Sequence, residues 1–149
     1  MITKAIYDYF SSPLTLEQYR NVCAQSNIRD LHLMLITGRC GSSFLSHIAT
    51  NVGFGKGEET FNEWPEEDLR SLATPQEFEK FLLVAMQLAA MGGRFYFQID
   101  PLRLQRLSPL LPPGCGLFPD VSSYAVLLRR DIVAQAISYF NAVSPANAR

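Results

Sequence analysis

The fold turns on one stretch, Leu31-His32-Leu33-Met34-Leu35-Ile36-Thr37-Gly38-Arg39-Cys40-Gly41-Ser42-Ser43-Phe44-Leu45. Residues 31–36 are a short apolar run between Asp30 and Gly38, the length and setting of a buried strand. The glycines predict a turn, and Gly41-Ser42-Ser43 opens a helix over 44–51. A strand that passes through a glycine turn into a helix can aim several backbone N–H groups at one point. The helix N-terminus adds partial positive charge, Arg39 a full one, and Ser42 and Ser43 hydroxyl donors. This is chemistry for a phosphate-like anion. The loop is not a Walker A loop, which needs GxxxxGK followed by Ser or Thr, because no Lys precedes Ser42. The competing reading is an ordinary strand–turn–helix in which Arg39 is a solvated surface charge.

A second stretch has the same form: Val126-Leu127-Leu128-Arg129-Arg130-Asp131-Ile132-Val133-Ala134-Gln135-Ala136-Ile137-Ser138. Two arginines stand at a strand end, and Ser138 lies two helical turns beyond Asp131 on the same face. An Arg and a Ser so placed can hold a second phosphate from two sides. The plainer alternative is a solvated Arg pair, Asp131 as a helix cap and Ser138 packed mid-helix.

Around these stretches, helices and strands alternate. Thr15-Leu16-Glu17-Gln18 is a capping-box pattern that predicts a helix to about Ser26. Residues 53–57 break the second helix, and the acidic residues 58–68 read as a loop. Thr74-Pro75-Gln76-Glu77 predicts a helix start, ended near Met91 by Gly92-Gly93. Residues 94–99 read as an aromatic-rich strand, 101–107 as a short helix, 110–120 as a loop, 124–128 as a strand and 131–140 as a helix. One helix followed by three strand–helix units predicts an α/β fold with a parallel sheet in a three-layer α/β/α arrangement. Ligands of such sheets bind beyond the carboxyl ends of the strands, which gathers 37–43, 98–100 and 129–130 into one region.

Composition narrows the classes. The chain has 149 residues, 13 Lys and Arg against 14 Asp and Glu, and 48% hydrophobic residues. That suits one domain with its own core and excludes wholesale disorder. A net charge of −1 argues against a nucleic-acid partner held by bulk electrostatics. Cys23, Cys40 and Cys115 are widely spaced and odd in number, which argues against a disulfide framework or a zinc site and for a reducing cytoplasm. MITKAIYDYF lacks the apolar run of a signal peptide. No stretch reaches the roughly 18–20 apolar residues of a membrane span, since Gln87 interrupts the longest one, 81–91.

Together the two stretches resemble the sulfotransferases that use 3′-phosphoadenosine-5′-phosphosulfate (PAPS). The first is similar to the family's 5′-phosphosulfate loop: Pro or Gln, Arg or Lys, then Ser-Gly and two hydroxyl residues. The second resembles its 3′-phosphate motif, an Arg at a strand end with a Ser eight or nine residues on. The nearest subgroup is the bacterial trehalose and lipopolysaccharide sulfotransferases, whose R-x-D-x-x-x-Q-A-x-S pattern is met by Arg129, Asp131, Gln135, Ala136 and Ser138. Gly55-Lys56-Gly57-Glu58-Glu59-Thr60-Phe61 imperfectly resembles the subgroup's G-x-P-x-E segment with its two aromatics, and Gly92-Gly93-Arg94 its G-G-K strand start. The likeness spans about residues 33–143. It departs at Cys40, where the family has Ser and where a weak S–H is the poorer anion donor. It also departs at Gly38, in place of Pro or Gln, and at Thr60, in place of an aromatic.

The resemblance implies a P-loop-like domain over 31–149, preceded by an N-terminal helical extension over 1–30. Family members continue well beyond the second motif, so it also implies a domain lacking its C-terminal part: a truncated or fragmentary enzyme, or one completed by association as a homo-oligomer. The implied reaction is transfer of a sulfuryl group from PAPS to a hydroxyl of a carbohydrate or glycolipid acceptor, in line, with 3′,5′-ADP leaving. Arg39, Cys40, Gly41, Ser42 and Ser43 would hold the 5′-phosphosulfate, and Arg39 would stabilise charge building on the bridging oxygen. Arg129 or Arg130 would hold the 3′-phosphate with Ser138. The subgroup register favours Arg129 and the eight-residue spacing Arg130. The base that takes the acceptor proton would be Glu59. The acidic stretch around Glu59 equally fits a solvated face. His47, four residues after Ser43, is the rival base, with a helix role as its alternative; His32 reads as structural. Arg94 and Gln98 share a strand face and are candidates for touching the acceptor, as are Phe61, Trp64 and Tyr96, unless these pack in the core. No metal is required, since arginine and amide groups can meet the anionic charge. The alternatives are a catalytically incomplete remnant that binds PAPS or 3′,5′-ADP, and a degenerate P-loop kinase.

Overall fold

A largely apolar strand needs partners on both edges, and residues 30–36 find them at long range. In the computed structural model, which describes residues 2–115, 118–128 and 130–143, the chain begins with β1 (Thr3–Ala5), α1 (Ile6–Tyr9) and α2 (Leu16–Gln25). It continues through β2 (Asp30–Ile36), α3 (Ser42–Asn51), β3 (Glu63–Pro65), α4 (Glu66–Leu72) and α5 (Phe78–Ala89). Then follow β4 (Arg94–Ile99), α6 (Pro101–Leu107), a 3₁₀ turn (Ser108–Leu110), β5 (Ser123–Leu127) and α7 (Ile132–Val143). Among the described residues, β2 is the centre of a three-stranded parallel sheet in the order β4-β2-β5. Leu33 stands opposite Phe97 on one side and Tyr124 on the other. The α/β reading, a parallel sheet flanked by helices, therefore holds.

Strand alternation sorts the sheet's two faces. Leu31, Leu33, Phe95, Phe97 and Ile99 face the main core, where Phe61 and Phe118 pack on Phe97 with ring centroids 5.1 and 4.8 Å apart. Phe78, Phe81, Leu82 and Met86 of α5 join this core. So does the N-terminal segment: Ile6, Tyr9, Phe10, Leu14, Tyr19 and Val22 are all buried in it. The opposite face carries His32, Met34, Tyr96 and Gln98, and α3 lies against it through Ser46, which hydrogen-bonds Gln98. Along β5 and the start of α7 the cover is thin. Tyr124, Val126, Leu128, Ile132, Val133 and Ile137 are all more than half exposed.

Three local expectations are corrected. Residues 58–68 are not a loop throughout. β3 pairs antiparallel with β1, Lys4 opposite Trp64, and Glu66, Glu67 and Asp68 occupy the first turn of α4, where the helix dipole favours negative charge. The helix expected at Thr74 begins at Phe78. Glu77 instead closes a turn, its carboxylate accepting from the Thr74 backbone N–H (3.0 Å) and hydroxyl (2.9 Å). The last helix begins at Ile132, with the Asp131 carboxylate accepting from the Ala134 N–H at 2.8 Å, and it extends to Val143. No helix among the described residues is long and apolar enough to cross a membrane.

Candidate functional site

The turn after β2 is held from two directions. Arg39 adopts a left-handed φ of 62° and Gly41 one of 93°, and this reversal lets α3 start at Ser42 directly behind the strand. From the α7 side, Gln135 Nε2 donates to Thr37 Oγ1 at 2.9 Å and also to the Gly38 carbonyl. Arg39 Nε donates to Ser138 Oγ at 3.0 Å. The two stretches singled out in the sequence thus meet through side chains 97–99 residues apart.

Their meeting place is a cavity of about 480 Å³. Gly38, Arg39 and Gly41 line it on the turn side, Ser42 and Ser43 at the head of α3. Ser138 and Glu59 close it. As helix N-cap, Gly41 has no side chain to offer, so it leaves the first N–H groups of α3 without a side-chain cap of its own. Such a ten-residue helix end suits an anion. The buried end of α3 is fixed by Gln98, whose amide reaches the Ser42 carbonyl (3.3 Å), the Tyr96 hydroxyl (3.2 Å) and the Ser46 hydroxyl.

Glu59 arrives by a glycine-bearing crossing. Residues 53–57 pass over Tyr96 so closely that a Cβ on Gly55 would stand 2.7 Å from the Tyr96 Cβ. A Cβ on Gly57, at φ +62°, would meet the Tyr96 ring and sit 2.8 Å from Ser46 Oγ. Glu58 then bridges to Phe97 on the outer edge of β4, its carbonyl accepting from the Gln98 N–H at 3.1 Å. This leaves Glu59 beyond the strand's carboxyl end. Its carboxylate accepts from Asn62 Nδ2 and lies 4.0 Å from Arg103 Nη1. Arg103 also donates to Asn62 Oδ1 at 2.9 Å.

A second cavity, of about 610 Å³, adjoins the first and shares Ile36, Gly38 and Glu59 with it. Asp100, Arg103 and Arg106 of the β4–α6 corner line it, together with Tyr7 from α1. Glu59 therefore belongs to the walls of both.

The remaining candidates fall elsewhere. Cys40 is half-buried and outside the lining of either cavity. Arg130 is exposed and also outside both, and Arg129 lies outside the described residues. His47 is exposed on α3, away from both linings. His32 is held within the fold, with Nδ1 2.7 Å from Ser123 Oγ and its ring 4.3 Å from Phe54, and burial pushes its pKa below the ordinary value. Arg94 sits at the amino end of β4, 4.0 Å from Asp30, at the opposite end of the sheet. Phe61 and Tyr96 are buried, and Trp64 packs on Phe81. Asn62 and Arg103 went unread in the sequence. The one signal was Arg103 three residues after the helix-capping Asp100, which accepts from the Arg103 N–H at 2.9 Å.

Compared with known proteins, the chain matches no family model, no curated protein and no solved structure.

Proposed function

We propose that the chain is a PAPS-dependent sulfotransferase that acts on a hydroxyl of a carbohydrate or glycolipid, its first cavity being a P-loop-like donor site. The observation that carries this reading is the Arg39–Ser138 hydrogen bond across a cavity that also holds the uncapped head of α3 and a carboxylate. The residues present fit a phosphosulfate. Ser42 and Ser43 offer hydroxyls, the first turn of α3 offers N–H groups, and Arg39 offers a guanidinium suited to paired anionic oxygens. PAPS would supply the sulfuryl group. Negative charge at the bridging oxygen would be met by Arg39 and the α3 amides, donors fixed before reaction. Glu59 stands where the two cavities meet, so it can take the proton of a hydroxyl presented from the second. Asn62 orients its carboxylate. Ser138 acts on the donor side, and Gln135 ties the turn to α7.

A second reading, a chain that binds the nucleotide without completing transfer alone, is favoured by the exposed apolar face of β5 and α7 and by the exposure of Arg130. The kinase reading lacks a lysine in the loop. Titration with 3′,5′-ADP and with Mg·ATP, followed by sulfur-labelled PAPS and a glycan panel, tests all three. Binding of 3′,5′-ADP with label transfer supports the first reading, and binding without transfer the second. Magnesium-dependent ATP binding in its place overturns both.

A further inference from the structure

The second cavity holds two guanidinium groups, yet both are matched within the fold. Arg103 Nη1 lies 3.4 Å from Asp100 Oδ2 and 4.0 Å from Glu59 Oε2. Arg106 Nη2 lies 3.2 Å from Asp8 Oδ1, and its guanidinium covers the Tyr7 ring at 4.1 Å. Among the described residues, two arginines thus stand against Asp8, Asp100 and Glu59, with no excess positive charge for an anionic ligand. A ligand carboxylate or phosphate entering here would meet carboxylates whose counter-charges are already engaged. A ligand of many neutral hydroxyls meets both needs. It donates to Asp100 and Glu59 and accepts from guanidinium N–H groups. The volume, about 610 Å³, lies in the ordinary range for small-molecule sites.

One wall comes from the N-terminal segment. β1 is tied to β3, Ile6 is fully buried, and α1 thereby delivers Tyr7 to the cavity and Asp8 to Arg106. We infer that this cavity is the acceptor subsite, that it selects an uncharged saccharide over acidic or phosphorylated ones, and that Tyr7, with Asp8 and Arg106 beside it, is its specificity wall. The acceptor role rests on the donor-site reading of the first cavity. The saccharide preference rests on the charge pattern alone.

The test is saturation-transfer NMR on the full chain with methyl β-glucoside, cellobiose, glucuronate and glucose 6-phosphate, with and without 3′,5′-ADP. The neutral sugars are expected to bind about tenfold more tightly than the acidic ones, consistent with like-charge rejection. Adding 3′,5′-ADP is expected not to displace them. Tyr7→Ala should weaken cellobiose binding about fivefold. Leu102→Arg offers a second handle at a position 65% exposed on the cavity wall, where folding is little at risk. It adds an unmatched cation and should raise glucuronate affinity about fivefold, the scale of one solvent-screened pair. Equal or tighter binding of the acidic sugars to the unaltered chain overturns the inference. So does the absence of any saccharide signal while 3′,5′-ADP still binds, an outcome that leaves the donor-site reading standing. Neutral-sugar binding without 3′,5′-ADP binding overturns the acceptor role and the donor-site reading together, and upholds the selectivity where the acidic sugars bind more weakly.

Discussion

Removing Ser138 Oγ probes the joint between α7 and the turn after β2. The Arg39 Nε–Ser138 Oγ bond is 3.0 Å long. A hydrogen bond to a charged group contributes about 1.5–3 kcal/mol. Arg39 is exposed, so solvent screening reduces this to about 1 kcal/mol. Ser138→Ala should therefore weaken 3′,5′-ADP binding about fivefold. Arg39→Ala removes the guanidinium itself, and with it about 2–3 kcal/mol of charge-assisted bonding, or about 30- to 150-fold in affinity. Because Ser138 acts in part by holding Arg39, the two losses should not multiply. The double variant should fall short of the product by about two- to threefold, a coupling of about 0.5 kcal/mol. Isothermal titration calorimetry at low salt measures all four corners, and circular dichroism checks that α7 persists in each. An Arg39→Ala variant that binds within twofold of the parent would show that the guanidinium does not hold the nucleotide. Losses that multiply in full would show that Ser138 and Arg39 act independently.

Glu59→Gln should leave 3′,5′-ADP affinity undiminished while lowering sulfuryl transfer by about 10²- to 10⁴-fold, the scale of a lost general base; an equal fall in binding and turnover would assign Glu59 a purely binding role. Gly57→Ala places a Cβ against Tyr96 and 2.8 Å from Ser46 Oγ at a left-handed φ, so it should cost about 1–3 kcal/mol in chemical denaturation. An unchanged midpoint would show that the crossing over Tyr96 is looser than described. Glu77 has a carboxyl held down to about 2, first by its bond to Lys80 and then by Thr74. A depressed folded-state value means its contribution is complete above the usual carboxylate range and fades as pH falls toward 2. Carbon-detected NMR titration should place its midpoint near 2, and Glu77→Gln should narrow the difference in Tm between neutral and acid pH. A midpoint in the ordinary carboxylate range would contradict this.

What the sequence made legible was local. The run 31–36, the turn at Gly38–Gly41 and the hydroxyls at 42–43 carry their own signals, because hydrophobic run length, glycine and helix starts act within a few residues. The capping box at Thr15 and Gln18 is of the same kind, and both of its bonds form. The pairing of β1 with β3 was not legible. Each strand has three residues, and the partners stand about sixty positions apart, so no periodicity can build up. Its consequence, Tyr7 on a cavity wall, was hidden with it. The acidic run 66–68 misled because charge alone does not separate a solvated loop from a helix's first turn. Asn62 and Arg103 meet Glu59 only after the chain has crossed Tyr96 and turned into α6, a juxtaposition that tertiary structure alone creates. Gln98, read as a candidate for the acceptor, instead anchors the buried end of α3, because the even-numbered face of β4 lies under that helix.

In the proposed donor site, the head of α3 and Arg39 receive the anionic end of a 3′,5′-bisphosphate nucleotide. Amide-resolved NMR during titration with 3′,5′-ADP tests it most directly. The largest shifts should fall on the Gly41, Ser42 and Ser43 amides and on Arg39 Nε–H, with smaller ones at Ser138, and Mg·ATP at equal concentration should move them far less. Shifts centred elsewhere, or an equal response to Mg·ATP, would contradict it.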